Sequence, residues 1–339
     1  MKLKKEFADF YKEIRIDKET NALREKREIL EEDIKSKLPD ILKDHNISVS
    51  RSDIRMIDQG SYKYNTTISD DVVDRDVAVM IPLDISVYFD PRKTKGYLRD
   101  AINIPARTVS IKEPCVRALY YENGEEWLHI DLPLYAQYEN SVYLARGKEY
   151  SSDYSWESAD PDGLNDYLCS QINGNAQLRR VICFIKKWRN EQYSGSTNDH
   201  EVPPSIGLTL LACECFSAQS TDDGDDDLLS LQKTMKGMLD RFTYTFDDKG
   251  NLVRTITKNL PVTPYTDVFK KMKDSSSTYM TTFYNRLSKA VDNLTNAVNV
   301  ESAHDAGKYV QKVLGDGFTV PAKEAVAAAA QNRREHSFG

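Results

Sequence analysis

The sequence predicts an α/β protein of the α+β kind, with two lobes: a sheet-bearing first half and a helical second half. Two changes of texture carry this. From about Ile47 to Tyr150 the chain runs in short β-branched and aromatic stretches split by Gly, Pro, Asn and Asp. After Asp162 the apolar residues recur at helical spacing instead. A chain of 339 residues suits one large domain or two ordinary ones. The expected division is 1–165 for the sheet-bearing core with a long N-terminal helix, 166–330 for the helical lobe, and 331–339 for a flexible tail.

The elements follow in order. Residues from about Lys4 to Leu42 hold no Gly and one Pro, Pro39. Ala8, Tyr11, Ile14, Leu23, Leu30, Ile34 and Leu38 form an imperfect apolar stripe, which predicts one long packing helix with a solvated charged face. Strands are expected at Val72–Ile81, Ala106–Ile111, Val116–Tyr121 and Trp127–Tyr135, with Glu122-Asn123-Gly124-Glu125 as a hairpin turn. Leu178, Val181, Ile182 and Ile185 predict a helix through Trp188, and Ile206–Phe216 a second one after Pro203-Pro204. The run Asp222-Asp223-Gly224-Asp225-Asp226-Asp227 reads as an exposed acidic loop, because it lacks the spacing and terminal Glu of a calcium loop. An Ala-rich helix is expected from Lys323 to about Asn332.

Composition narrows the function classes. Apolar residues make up 40% and charged residues 29%, ordinary for a soluble globular chain, and the net charge is −7. Docking on long nucleic acid usually needs a basic face, so the acidic balance favours small substrates. The five cysteines form no C-x-x-C pair and have no His at zinc-finger spacing. With no signal peptide and no apolar run near the ~20 residues that span a bilayer, the expectation is a cytoplasmic protein without a membrane partner.

The chemistry centres on three aspartates. Asp74 and Asp76 lie two apart in Val73-Asp74-Arg75-Asp76-Val77, so on a strand they point to one face. In Trp127–Tyr135, His129 and Asp131 share a face opposite to Leu128, Ile130 and Leu132. If the strands are neighbours, three carboxylates converge, an arrangement that is costly without cations. Hard oxygen ligands suit two Mg²⁺ ions, or Mn²⁺, set ~3.5–4 Å apart to clamp an in-line displacement at phosphorus. Upstream, Gln59-Gly60-Ser61 offers backbone N–H groups and a hydroxyl at a turn into a helix, which suits a phosphate.

With these residues in view, the segment Gln59–Asp131 resembles the nucleotidyltransferase superfamily that holds DNA polymerase beta, CCA-adding enzymes and oligoadenylate synthases. Leu178–Arg189 and Pro203–Thr209 resemble the helical half shared by oligoadenylate synthases and bacterial cyclic-oligonucleotide synthases, and Leu314–Pro321 resembles the closing motif of the bacterial group, the cGAS/DncV-like nucleotidyltransferases. The resemblance implies a polymerase-beta-like core with a mixed sheet, closed by a helical lobe. It makes Asp74, Asp76 and Asp131 catalytic metal ligands, and places Gln59, Gly60, Ser61, Tyr64, Lys186 and Ser205 at the nucleotide. Each of the last three also has an ordinary reading: Tyr64 as packing, Lys186 as an exposed helical cation, Ser205 as a helix start. His129 is assigned no catalytic part.

The implied reaction condenses ATP, GTP or other NTPs into a cyclic di- or trinucleotide second messenger, which activates a separate effector in anti-phage signalling. Template-independent RNA or tRNA-end addition, or linear oligonucleotide synthesis, is the alternative on the same core. The His/Cys zinc cluster of the animal DNA sensor is missing from the sequence, so no DNA activator is expected. Some members of the group are conjugated through a C-terminal glycine by a ubiquitin-like ligation partner, a use that Gly339 fits.

Overall fold

The computed structural model describes residues 2–16, 21–69, 73–246 and 249–323. Apart from Lys323 itself, the expected helix from Lys323 to about Asn332 and the tail ending in Gly339 lie beyond them. Among the described residues, an eight-stranded mixed sheet is followed by a helical half.

At the N-terminus the single long helix of the sequence reading is two helices, α1 (Lys4–Ile14) and α2 (Asn21–Asp44). Tertiary pairing sets the break. Arg15 is extended and bridges Ile68, and the Ile16 N–H donates to the Thr67 carbonyl. The two helices then serve different cores. Phe7, Phe10 and Ile14 of α1 join the core of the helical half, whereas Leu23, Leu30, Ile34 and Leu38 of α2 join the core under the sheet.

The sheet is built from β1 (Arg55–Gln59), β2 (Val73–Pro82), β3 (Thr108–Ile111), β4 (Val116–Glu122), β5 (Glu125–Leu132), β6 (Leu134–Tyr138), β7 (Ser141–Arg146) and β8 (Ser155–Ala159). Its order is β3-β4-β5-β2-β6-β7-β8, with β1 also paired to β2. The β4–β5 turn forms where expected, with Asn123 and Gly124 both at positive φ. β5 and β6 are one line of chain interrupted at Pro133, which has no N–H for the ladder. Their register against β2 is unchanged across the break, with Asp76 opposite Asp131 and Val79 opposite Leu134. β1, β7 and β8 were missed in the sequence, because their burial is too mixed to show a clean alternation. Helix α4 (Pro91–Ile102) packs against α2 and contributes Leu98, Ala101 and Ile102 to the core under the sheet.

The second half holds α5 (Pro161–Ile172), α6 (Ala176–Tyr193), α7 (Ser205–Cys215), α8 (Asp227–Asp240), α9 (Lys270–Ser275), α10 (Ser277–Asn299) and α11 (Ala303–Leu314). Phe184 of α6 meets Phe7 at 5.2 Å, and Phe318 meets Phe7 and Phe10 at 5.1 and 5.3 Å. The closing segment Leu314–Pro321 therefore seals α1 onto this core through a ring that is wholly buried.

The acidic loop is corrected in part. It is exposed from Asp222 to Asp225, as expected, but it is ordered: Ser220–Thr221 pairs with Gly224–Asp225, Asp226 caps α8, and Asp225 and the buried Asp227 both bind Arg180. The cysteines are free thiols; Cys115 and Cys183 are buried, and Cys169, Cys213 and Cys215 are half-buried. Among the described residues no helix is long and apolar enough to cross a membrane.

Candidate active site

β2 is the axis of the site. Its apolar residues Val77, Val79, Met80 and Ile81 are buried from end to end, which fixes the strand in the middle of the sheet. The pleat then sends Asp74 and Asp76 to one face. β5 lies parallel alongside, with His129 opposite Asp74 and Asp131 opposite Asp76. One carboxylate oxygen from each of Asp74, Asp76 and Asp131 lies within 4.8 Å of the others. The convergence expected from the sequence is therefore formed.

The Gly-Ser turn is the second part. Helix α3 (Gly60–Lys63) starts where β1 ends, and Gly60 has φ +66. A Cβ built on Gly60 would stand 2.0 Å from Asp76 Oδ2, so both the backbone conformation and the closeness of the carboxylate require glycine. Gln59 lies opposite Asp76 in the ladder, and its side chain hydrogen-bonds Tyr135. The Ser61 hydroxyl lies 3.0 Å from the Thr67 hydroxyl.

From the helical half, Lys186 projects from α6 towards this region. It is buried, and its Nζ donates to the Thr66 carbonyl at 3.0 Å and to the Thr66 hydroxyl at 3.3 Å. The exposed-cation reading of Lys186 thus fails. Burial pushes its ammonium down to about 8, while Asp76 and Asp74 pull the other way. Ser205 opens α7, where its carbonyl accepts from the Thr209 hydroxyl. Tyr64 is 4% exposed, packs in the helical core, and donates its hydroxyl to Asn165 Oδ1. In this conformation its ring is not open to a base, and packing is the reading that the geometry supports.

The charges are out of balance in an informative way. Asp74 is exposed and Asp76 half-buried; desolvation by the surrounding protein, then the neighbouring Asp131, raises the pKa of Asp74, and desolvation, then Asp74 and Asp131, raises that of Asp76 well above the ordinary range. Among the described residues no cation forms an ion pair with Asp74 or Asp76. A hard divalent cation among these oxygens would relieve that repulsion, so the donor set fits one.

The chain was compared with known families and structures. Residues 54–135 match the family described as cyclic GMP-AMP synthase DncV-like, nucleotidyltransferase domain. This segment is a DncV-like nucleotidyltransferase domain. The whole fold agrees with it. Vibrio cholerae DncV cyclic AMP-GMP synthase in complex with the linear intermediate pppA(3′,5′)pG superposes with a TM-score of 0.68 at 17% identity, covering 94% of this chain and 96% of that one. The same synthase in complex with nonhydrolyzable GTP gives 0.68 at 18%, covering 95% and 100%. Escherichia coli DncV in its 3′-deoxy GTP bound form gives 0.63 at 18%, covering 90% and 93%.

Within the DncV-like domain, sequence reasoning missed Arg117. It lies directly opposite Asp131 across β4 and β5 and makes a two-pronged ion pair, Nε to Oδ1 at 2.7 Å and Nη2 to Oδ2 at 2.8 Å. The clue was a lone Arg between Val116 and Ala118, whose buried side chains mark the other face. Thr66 and Asn165 were also missed. Thr66 receives Lys186, and Asn165 ties the helical half to this domain by accepting from Tyr64 and donating Nδ2 to the Asp58 carbonyl at 3.2 Å.

Proposed function

We propose that this protein is a metal-dependent nucleotidyltransferase that joins two or more NTPs into a cyclic di- or trinucleotide. In each round a 3′- or 2′-hydroxyl forms a bond to an α-phosphorus while the bond to the bridging oxygen breaks and pyrophosphate leaves. The observation that carries this reading is the convergence of Asp74, Asp76 and Asp131 within 4.8 Å, two of them in no ion pair among the described residues. The DncV-like domain and the shared fold support it, as does the likeness to structures described with GTP and with a linear intermediate.

Asp74, Asp76 and Asp131 would hold the divalent ions, Mg²⁺ or Mn²⁺. When bound, such ions neutralise phosphate charge and acidify the attacking hydroxyl. The Ser61 hydroxyl and the turn that follows Gly60 would hold the donor triphosphate beside Asp76. The Lys186 ammonium would face its negative charge from the helical lobe, with Ser205 at the start of α7 on the same side. Few proton-transfer groups are needed, because phosphoryl transfer depends mostly on positioning and electrostatics. The lobe boundary would fall near residue 165, with α1 counted with the helical lobe. The product would act as a signal read by a separate effector in bacterial anti-phage defence, with Gly339 as a candidate point of conjugation.

The test is incubation with the four NTPs and Mg²⁺ or Mn²⁺, without any RNA primer, followed by mass spectrometry. Phosphatase-resistant cyclic products are expected. Linear products alone, or extension only of an added RNA end, would overturn the reading.

A further inference from the structure

Arg75 stands between the two aspartates of β2, and the pleat turns it to the opposite face. It is 4% exposed, a rare place for a guanidinium unless its donors are met. Nη1 donates to the Leu23 carbonyl of α2 at 3.0 Å, while Nε and Nη2 donate to Asp58 Oδ1 at 3.3 and 2.9 Å. The guanidinium carbon also lies 4.1 Å from the centroid of the Tyr62 ring.

The partners have a pattern. Asp58 is the residue before Gln59, and Tyr62 is the residue after Ser61. The guanidinium thus grips the Gly-Ser turn at its entrance and at its exit. On the other face of the same strand, Gly60 abuts the Asp76 carboxylate. The turn is pinned front and back by adjacent residues of β2, so the place for a phosphate and the place for a cation move as one body. A buried arginine that served only to staple α2 would need Leu23 and nothing at the turn.

Resting on the nucleotidyltransferase reading, we infer that Arg75 is a positioning residue for the donor triphosphate, acting through Asp58 and Tyr62 to hold Ser61 and the turn at a fixed distance from Asp74 and Asp76. Lysine cannot reproduce this, because it keeps the charge and loses both the fork and the flat stacking surface. Tyr62→Leu removes the stacking partner without touching the arginine.

The experiment measures the Kd of a nonhydrolysable NTP and of the matching nucleoside monophosphate, together with Tm, for wild type, Arg75→Lys, Tyr62→Leu and the double variant. Arg75→Lys and Tyr62→Leu should each weaken the triphosphate by about tenfold while the monophosphate changes by less than about twofold. The double variant should be no weaker than about tenfold, since the two side chains act as one unit. Equal losses for both ligands, additive losses, or a fall in Tm with no triphosphate-specific loss would overturn the inference. If Arg75→Lys fails to fold, Tyr62→Leu decides the same question. A wild type that binds no triphosphate sinks the proposed function along with it. A wild type that binds and turns over NTPs while the variants match it sinks this inference alone.

Discussion

The molecule carries two acidic clusters, and they are treated in opposite ways. In the run Asp222–Asp227, Asp225 and Asp227 share Arg180 and Asp226 caps α8. In the sheet, Arg117 meets Asp131, while Asp74 and Asp76 stand close to it with no cation of their own among the described residues. The run has more aspartates, yet three of them are tied into the packing of α6 and α8. The sheet cluster has fewer, and holds charge that the described protein does not neutralise. Unmet charge in a rigid frame, rather than a count of carboxylates, marks the site.

The sharpest way to break this contrast is to remove the unmet charge. Asp74→Asn with Asp76→Asn should reduce NTP turnover on the order of 10³-fold or more. Without metal, the same variant should be more stable than wild type at pH 7. The sign follows from the raised pKa of both groups: the folded state holds their protons more tightly than the unfolded one, so their contribution falls as pH rises through the folded pKa values. The advantage of the variant should therefore shrink as pH falls towards about 4. Thermal melts across pH in a chelator check this, and Mg²⁺ should raise the Tm of wild type only.

Arg180→Ala makes the opposite break. Leaving Asp225 and Asp227 unpaired should cost about 2 kcal/mol, less than a fully buried pair because Asp225 is half exposed. Denaturant melts should show the loss, while turnover per folded molecule stays at the wild-type value. A loss of turnover equal to that of the aspartate double variant would erase the distinction between the clusters.

Arg117→Gln tests the one neutralised member of the sheet cluster. With its competitor gone, Asp131 should be easier to reach, and half-maximal thermal protection should need about threefold less Mg²⁺. In chelator, the same variant should melt earlier than wild type, by a few degrees at about 1 kcal/mol. Titration calorimetry would expose the reverse shift if Arg117 instead assists the cation.

An effect of comparable size is the pH dependence set by Lys186. With its ammonium pushed down to about 8, triphosphate binding should weaken several-fold, about threefold to tenfold, between pH 7 and pH 9. Its contribution to stability runs the other way, rising with pH between about 8 and the unfolded value near 10.4, because the unfolded chain then holds the extra proton. Lys186→Met should bind weakly and show neither trend. A pH-independent wild type would separate Lys186 from the phosphates.

Much of this site was legible before any coordinates. The two-residue spacing of Asp74 and Asp76 dictates a shared face, and the apolar alternation of Leu128, Ile130 and Leu132 turns Asp131 to the matching one. Gly60 was legible too, although only the structure shows that Asp76 occupies the place of its Cβ. What stayed hidden depends on pairing across the chain. Nothing local places Arg117 opposite Asp131, and nothing in the polar stretch after Ile14 announces that its backbone will pair with residues 67–69 instead of extending a helix. Tyr64 shows the same limit from the other side, since its burial is decided by Asn165, a hundred residues away.

The division of labour between α1 and α2 has a consequence for how the chain is made. Lys2 donates to the carbonyls of Ala297, Val298 and Val300, and Phe7 and Phe10 close on Phe318. At about 5–20 residues per second, a ribosome needs about 15 to 60 s to supply those partners after α1 has emerged. The sheet core that α2 covers is complete far earlier, by Trp156. Until Phe184 of α6 emerges, α1 is an apolar face in search of a surface, its seal is finished only by Phe318, and co-translational capture by a chaperone is expected at α1 before any other element.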